Sequence, residues 1–134
     1  MTILYVCRSN VGRSQMAEAL HTSVGDVADS AGIFVGKREG FRVKDIENTK
    51  NLIAVMREEG INIAKNRLTQ LNENMVNKYS KVIVMAEPDI WPDYLINNKK
   101  IEYWYLEDPK GTDLENYKKV RDKIKYKVRE LLFL

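Results

Sequence analysis

The chain has 134 residues, 44% of them hydrophobic, with 22 basic and 19 acidic side chains and a net charge of +3. That length suits one domain, residues 1–134, with a real core, and charges so evenly dispersed argue against nucleic acid as a partner. No apolar run is long enough to cross a bilayer, no charged leader precedes the first apolar run, and the single Cys cannot close an internal disulfide, so a cytoplasmic monomer without membrane attachment is expected.

Residues 2–6, through Ile3, Leu4, Tyr5 and Val6, read as a buried first strand. A tight polar loop follows, Cys7-Arg8-Ser9-Asn10-Val11-Gly12-Arg13-Ser14, and runs into Gln15-Met16-Ala17-Glu18-Ala19-Leu20, a helix-forming stretch. Strand, loop and helix start in that order turn the backbone N–H groups of the loop toward one point at the positive end of the helix, which makes an anion site. Arg8 and Arg13 flank it, and no acidic residue appears before Glu18. The only thiol therefore lies in the most electropositive turn of the chain, where helix terminus and arginine both favour the thiolate, the nucleophilic form of cysteine. The planar fork of Arg13 can hold two oxygens of a tetrahedral oxyanion such as phosphate, sulfate or arsenate, which Lys does less well. Ser9 and Ser14 offer hydroxyl donors to the loop or the sulfur, and Asn10 is the non-glycine type that best tolerates a left-handed turn.

Met16, Ala17, Leu20 and Val24 recur at helical spacing, so the first helix should end near Gly25. His21, the only histidine, is expected at the surface or core edge; beyond Cys7 there is no second His or Cys to complete a metal site, and neither metal nor cofactor is expected. Residues 27–32 read as a second strand. The loop from Gly32 to about Asp45 carries three glycines and several basic residues and is long enough to form a functional rim, with Phe34, Val35 or Phe41 either lining its mouth or packing beneath it.

Residues 47–59 read as a second amphipathic helix through Leu52, Ile53, Val55 and Met56, stopped by Gly60. A short helix is expected over 72–79, a strand apolar on both faces over 81–86, and a helix over 89–96 with Trp91 partly packed. The last strand should span 101–106 and end at Glu107-Asp108-Pro109. From Asp113 onward Leu114, Tyr117, Val120, Ile124, Val128 and Leu131 step by three and four, marking a long helix whose stripe faces the sheet. Lys99, Lys100 and the 118–127 region read as solvated faces. The alternation predicts an α/β fold, a doubly wound four-stranded parallel sheet with helices on both faces. Ligands of such sheets sit beyond the carboxyl ends of the strands, so the loops carrying Cys7 and Asp108 should meet at one rim.

The run Val6-Cys7-Arg8-Ser9-Asn10-Val11-Gly12-Arg13-Ser14 resembles the signature of the low-molecular-weight protein tyrosine phosphatases and the thioredoxin-coupled arsenate reductases, which share one fold. Asp29-Ser30-Ala31-Gly32, Glu58-Glu59-Gly60-Ile61, Val82-Ile83-Val84-Met85 and Asp108-Pro109 come in that family's order, so the likeness spans nearly the whole chain. It implies hydrolysis of phosphotyrosine or a related small phosphomonoester through a phosphocysteine on Cys7, with Arg13 and the loop from Arg8 to Ser14 holding the phosphoryl group. The partner is then a phosphorylated protein or a small phosphomonoester. Asp108 takes the place of the family's general acid, giving a proton to the leaving oxygen and later taking one from water, with Glu107 as the neighbouring fallback. Read without the resemblance, Asp108-Pro109 is a turn.

Departures from the phosphatase pattern bear on the substrate. Ser9 stands where the family usually has Gly, Gly12 where it has a second Cys, and Lys110-Gly111 where tyrosine phosphatases place aromatics. Arg8 and Lys110 point instead to an acidic or small phosphorylated substrate, with Lys110 at the rim. Ser14-Gln15-Met16-Ala17-Glu18 and the segment from Tyr117 to Asp122 resemble the reductase branch, whose thioredoxin-coupled members carry a second thiol after the third strand. Met85-Ala86-Glu87 holds none, so arsenate reduction here requires an external thiol. A phosphate-binding module without turnover is the third reading, and a reactive thiol beside Arg13 and Asp108 argues against it.

Overall fold

The computed structural model describes residues 1–133. Four strands, β1 (Ile3–Cys7), β2 (Ala28–Gly32), β3 (Lys81–Val84) and β4 (Ile101–Tyr103), form one sheet in the order β2-β1-β3-β4. Every pairing is parallel: Cys7 lies beside Gly32, and Val6 lies between Ala31 and Val84. The chain leaves β1 toward β2 and returns to the other side of β1 as β3, so the strand order reverses at the carboxyl end of β1, where a doubly wound sheet opens a crevice. Cys7 ends that strand.

Alternation along the strands sorts side chains into two cores. Ile3, Tyr5, Cys7, Ile83 and Met85 face helices α1 (Arg13–Thr22), α2 (Lys50–Arg57) and α4 (Leu114–Phe133), whose Met16, Leu20, Leu52, Met56, Val120 and Ile124 close over them. Leu4, Val6, Val82 and Val84 face the other way, against Leu71, Leu95 and Val76 of the short helix α3 (Glu73–Asn77). Both faces are thus covered, as an all-parallel sheet requires, though the second is closed mainly by irregular chain. No helix among the described residues is long and apolar enough to cross a membrane.

Several elements depart from the sequence expectations. The segment 89–96 is two 3₁₀ turns, Pro88–Ile90 and Asp93–Leu95. Pro92 lacks the N–H a continuing helix needs and holds Trp91 extended at ψ 133°. Trp91 is partly buried and donates to the Ala86 carbonyl at 2.9 Å. Helix α2 starts only at Lys50, because Asn48 is left-handed at φ +62°. Helix α1 ends at Thr22, which leaves Val24 outside it and exposed.

His21 is neither at the surface nor at the core edge. It is fully buried, with Nδ1 2.8 Å from the Tyr5 hydroxyl and Nε2 3.0 Å from an Asp26 carboxylate oxygen. Lys100 is also engaged, donating to the carbonyls of Val76 and Tyr79, and in the 118–127 region Lys118, Arg121 and Lys125 pair with Glu58 and Glu59.

Candidate active site

The loop between β1 and α1 is shaped by Asn10, which is buried and left-handed at φ +57°. The Thr69 amide donates to its Oδ1 at 2.9 Å, fixing the orientation of the side-chain amide. Its Nδ2 therefore faces the hydroxyls of Ser14 at 2.8 Å and Ser30 at 2.9 Å and donates to both. The Ser30 hydroxyl in turn donates to the Glu18 carboxylate at 2.7 Å; burial, only partly offset by that bond, keeps the Glu18 carboxyl above its ordinary pKa. Ser14 Oγ also lies 3.0 Å from Cys7 Sγ, a contact in which either atom can be the donor.

None of the seven backbone N–H groups from Arg8 to Ser14 donates to a protein acceptor among the described residues. The amides at the N-terminus of α1 have no intrahelical acceptor, and together with those of the loop before it they leave a cluster of donors available to an anion. Cys7 itself is 2% exposed and packs with the core on the α1 side of the sheet, with Ser14 Oγ 3.0 Å from its sulfur.

The loop is seated closely on β2. A Cβ at Gly32 would lie 2.6 Å from the Asn10 amide nitrogen and 2.6 Å from the Ser9 carbonyl carbon, so no larger residue fits without moving the loop. The variant Gly32→Ala is expected to lose about 3 kcal/mol of stability in urea unfolding, the upper end for overpacking because the obstacle is backbone. It should also bind inorganic phosphate more weakly; unchanged stability would mean the strand and loop have slack.

Arg13, the first residue of α1, is 2% exposed and spans the ends of two other strands. Its Nη1 donates to the Met85 carbonyl at 2.6 Å and to the Leu106 carbonyl at 2.9 Å, just past β3 and β4. Two carboxylates flank the guanidinium: Glu87 Oε1 lies 3.7 Å from Nη1, and Asp108 Oδ2 lies 3.7 Å from Nη2. The loops of Cys7 and Asp108 do meet at one rim, 101 positions apart in the chain. Asp108 is also the turn residue its Pro suggests, since its Oδ1 accepts the Lys110 amide at 3.1 Å. Glu107 instead accepts from Asn116 of α4, away from Arg13.

Residues 2–133 match the family model described as low molecular weight phosphotyrosine protein phosphatase. The chain belongs to that family. Among solved structures, the low molecular weight protein tyrosine phosphatase from T. tengcongensis superposes with a TM-score of 0.82 at 29% identity, covering 98% of this chain and 97% of its own. Curated relatives of this phosphatase-family chain are named otherwise. An arsenate reductase from Staphylococcus xylosus is 35% identical over 92% of this chain and 90% of its own length. A glutaredoxin arsenate reductase from Synechocystis sp. is 30% identical over 97% and 95%.

In this family member the cleft over the loop is lined by Ser9, Val11 and Gly12 on one side and by Asp108, Pro109 and Lys110 on another. Lys110 is part of that lining. Phe34 and Phe41 do not line the cleft: both are exposed, and the Arg8 guanidinium sits 5.2 Å from the centre of the Phe34 ring. Val35 is buried in the core. The remaining walls come from residues the sequence did not single out for the site: Arg38, Ile46, Glu47, Asn48, Leu52 and Tyr117. Tyr117 is buried, and burial followed by the Asp108 charge raises its hydroxyl pKa. Gln70 was missed as well. Its side chain accepts from the amides of Val35 and Gly36 and donates to the carbonyls of Ile33 and Leu71, binding the rim loop to the segment before α3.

Proposed function

We propose that this chain hydrolyses phosphomonoesters, phosphotyrosine or a related small ester, through a phosphocysteine formed on Cys7. The observation that carries the reading is the meeting of two distant loops: Arg13, at the end of the loop that begins with Cys7, lies 3.7 Å from the Asp108 carboxylate, and Ser9, Val11 and Gly12 of that loop line one cleft with Asp108. The thiolate of Cys7 attacks phosphorus as the bond to the ester oxygen breaks, and the Asp108 carboxylic acid gives the departing oxygen its proton. A water then loses a proton to the Asp108 carboxylate and attacks phosphorus. The sulfur–phosphorus bond breaks, inorganic phosphate leaves and the thiolate returns. Loop amides and Arg13 carry the charge of the transferring group throughout, and they are in place before reaction. The one sheet with a core on each face supports a single domain, and the lone thiol suits the reducing cytoplasm.

The variant Asp108→Asn separates a proton donor from a turn residue. It keeps an acceptor for the Lys110 amide but cannot supply a proton, so kcat on phenyl phosphate is expected to fall about 10²- to 10³-fold. Para-nitrophenyl phosphate, whose leaving group needs little help, should suffer much less. Equal losses on both esters would remove Asp108 from the acid role and leave it a structural one.

Arsenate reduction is the second reading, favoured by relatives 30% to 35% identical that carry that name. Arsenate fits the same cradle, and Cys7 attack on arsenic would give a thiol-arsenic adduct with loss of water. Cys7 is the only cysteine, so the two reducing electrons must come from external thiols. Glutathione-dependent arsenate turnover faster than hydrolysis of every phosphomonoester tried would decide for it.

A further inference from the structure

We propose that the basic ridge formed by residues 37–44 and 65–67 with Arg8 is a docking surface for an acidic stretch of a phosphorylated protein, flanking the phosphorylated residue in the cleft. This rests on the reading above in taking the cleft as the phosphate site.

Charge in this molecule is not evenly placed once the chain is folded. Arg8 and the segments 36–45 and 64–67 hold seven cations, Arg8, Lys37, Arg38, Arg42, Lys44, Lys65 and Arg67, against two carboxylates, Glu39 and Asp45. That is a net +5 where the whole chain is +3, so the rest of the protein carries a net −2. None of the seven lies within ion-pairing distance of a carboxylate among the described residues, whereas on α4 Lys118, Arg121 and Lys125 all do. Glu39 is turned to the Gln70 amide, which donates to it at 2.8 Å.

The backbone presses these charges together. The Val43 amide donates to the Asn66 carbonyl and the Leu68 amide to the Phe41 carbonyl, both at 2.9 Å, and this antiparallel pairing sets Arg42 directly opposite Arg67. Like charges facing each other across a ladder oppose folding. Arg67 is held in place by the Gly40 carbonyl, to which its Nη1 donates at 2.7 Å, and an anion bound across the pair would offset their repulsion. The ridge is continuous with the candidate site, because Arg38 lines the cleft beside Ser9 and Gly12, and Lys110 joins the same lining. A peptide leaving the cleft across this loop therefore meets cations at successive positions. Single-stranded nucleic acid fits less well, because base stacking needs free aromatic faces: the Arg8 guanidinium already lies over the Phe34 ring, leaving Phe41 as the other exposed ring on the ridge.

The test compares phosphotyrosine peptides of one length with Asp/Glu, Ser or Lys flanks. At about 50 mM salt the acidic peptide is expected to show a KM about tenfold below the Lys-flanked one, narrowing to about twofold at 0.5 M salt because surface charges are then screened. The double variant Lys37→Glu/Arg42→Glu should abolish the preference and leave para-nitrophenyl phosphate hydrolysis unchanged, since neither residue lines the cleft. Lys119→Glu/Lys123→Glu, the same charge change on α4, should preserve it. Equal KM values across the peptides, loss of the preference in the α4 variant, or displacement of the acidic peptide by a single-stranded oligonucleotide at equal concentration would overturn the proposal. Anisotropy of the same peptides on Cys7→Ser repeats the comparison without turnover, so failure of the hydrolytic reading and failure of the docking surface give different results.

Discussion

Replacing Cys7 with Ser is expected to lower phosphomonoester hydrolysis by about 10⁴-fold or more, the scale seen when a covalent nucleophile is removed. The structure makes this a clean substitution. Serine is close in size, the Ser14 hydroxyl 3.0 Å from Sγ still has a hydrogen-bond partner, and the donors of the loop do not involve the thiol. What disappears is the sulfur nucleophile. Binding of inorganic phosphate, followed by titration calorimetry, should therefore stay within a few-fold of the parent, because the unused amides from Arg8 to Ser14 and the guanidinium of Arg13 are untouched. Hydrolysis within tenfold of the parent would mean that water is activated directly and no phosphocysteine forms. The same variant should also lose all thiol-dependent arsenate turnover, which makes it the common control for both chemistries.

The loop could be read from sequence because its chemistry is local. Eight consecutive residues hold the thiol, both arginines and the left-handed Asn10, and the strand before and helix after them are short-range patterns. Asp108 needed more: read alone it is a turn residue, and it stood out only through its resemblance to the family's general acid, with the rule that parallel strands open their loops on one edge. The strand order β2-β1-β3-β4 places those loops together and brings Asp108 to 3.7 Å from Arg13. Residues that escaped notice do so for a common reason: their role depends on a partner far along the chain. Tyr117 sits at core spacing in α4 and is indeed buried, yet it also lines the cleft. Gln70 resembles any polar loop residue until the amides of Val35 and Gly36 are seen to converge on it. His21 and Arg121 are polar residues on helices whose buried partners lie on other elements, Tyr5 on β1 and Val55 on α2. The basic residues of the loop up to Asp45 were visible in the sequence, but not the pairing that sets Arg42 opposite Arg67 and adds residues 65–67 to them. By contrast, the failed helix over 89–96 had its signal in plain view, in Pro88 and Pro92.

Arg13 is where fold and chemistry share one side chain, and its removal should damage both. In Arg13→Ala the carbonyls of Met85 and Leu106 lose their donor inside the protein, at about 1–3 kcal/mol for each buried group left unpaired. Glu87 and Asp108 lose the cation between them. A drop of about 3 kcal/mol or more in unfolding free energy is expected, together with a fall of at least about 10³-fold in kcat/KM, since the largest fixed charge facing the phosphoryl oxygens is gone. Arg13→Lys separates the two roles. An ammonium group restores the charge and can reach one carbonyl, so most of the stability should return. Yet it cannot bond two carbonyls with one nitrogen while holding oxyanion oxygens with the rest of a planar fork. The Lys variant should therefore unfold within about 1–2 kcal/mol of the parent and remain about 10²-fold slower in kcat, with the loss in turnover exceeding the loss in phosphate affinity. Full activity in Arg13→Lys would reduce Arg13 to a source of positive potential and shift the burden of transition-state binding onto the loop amides alone.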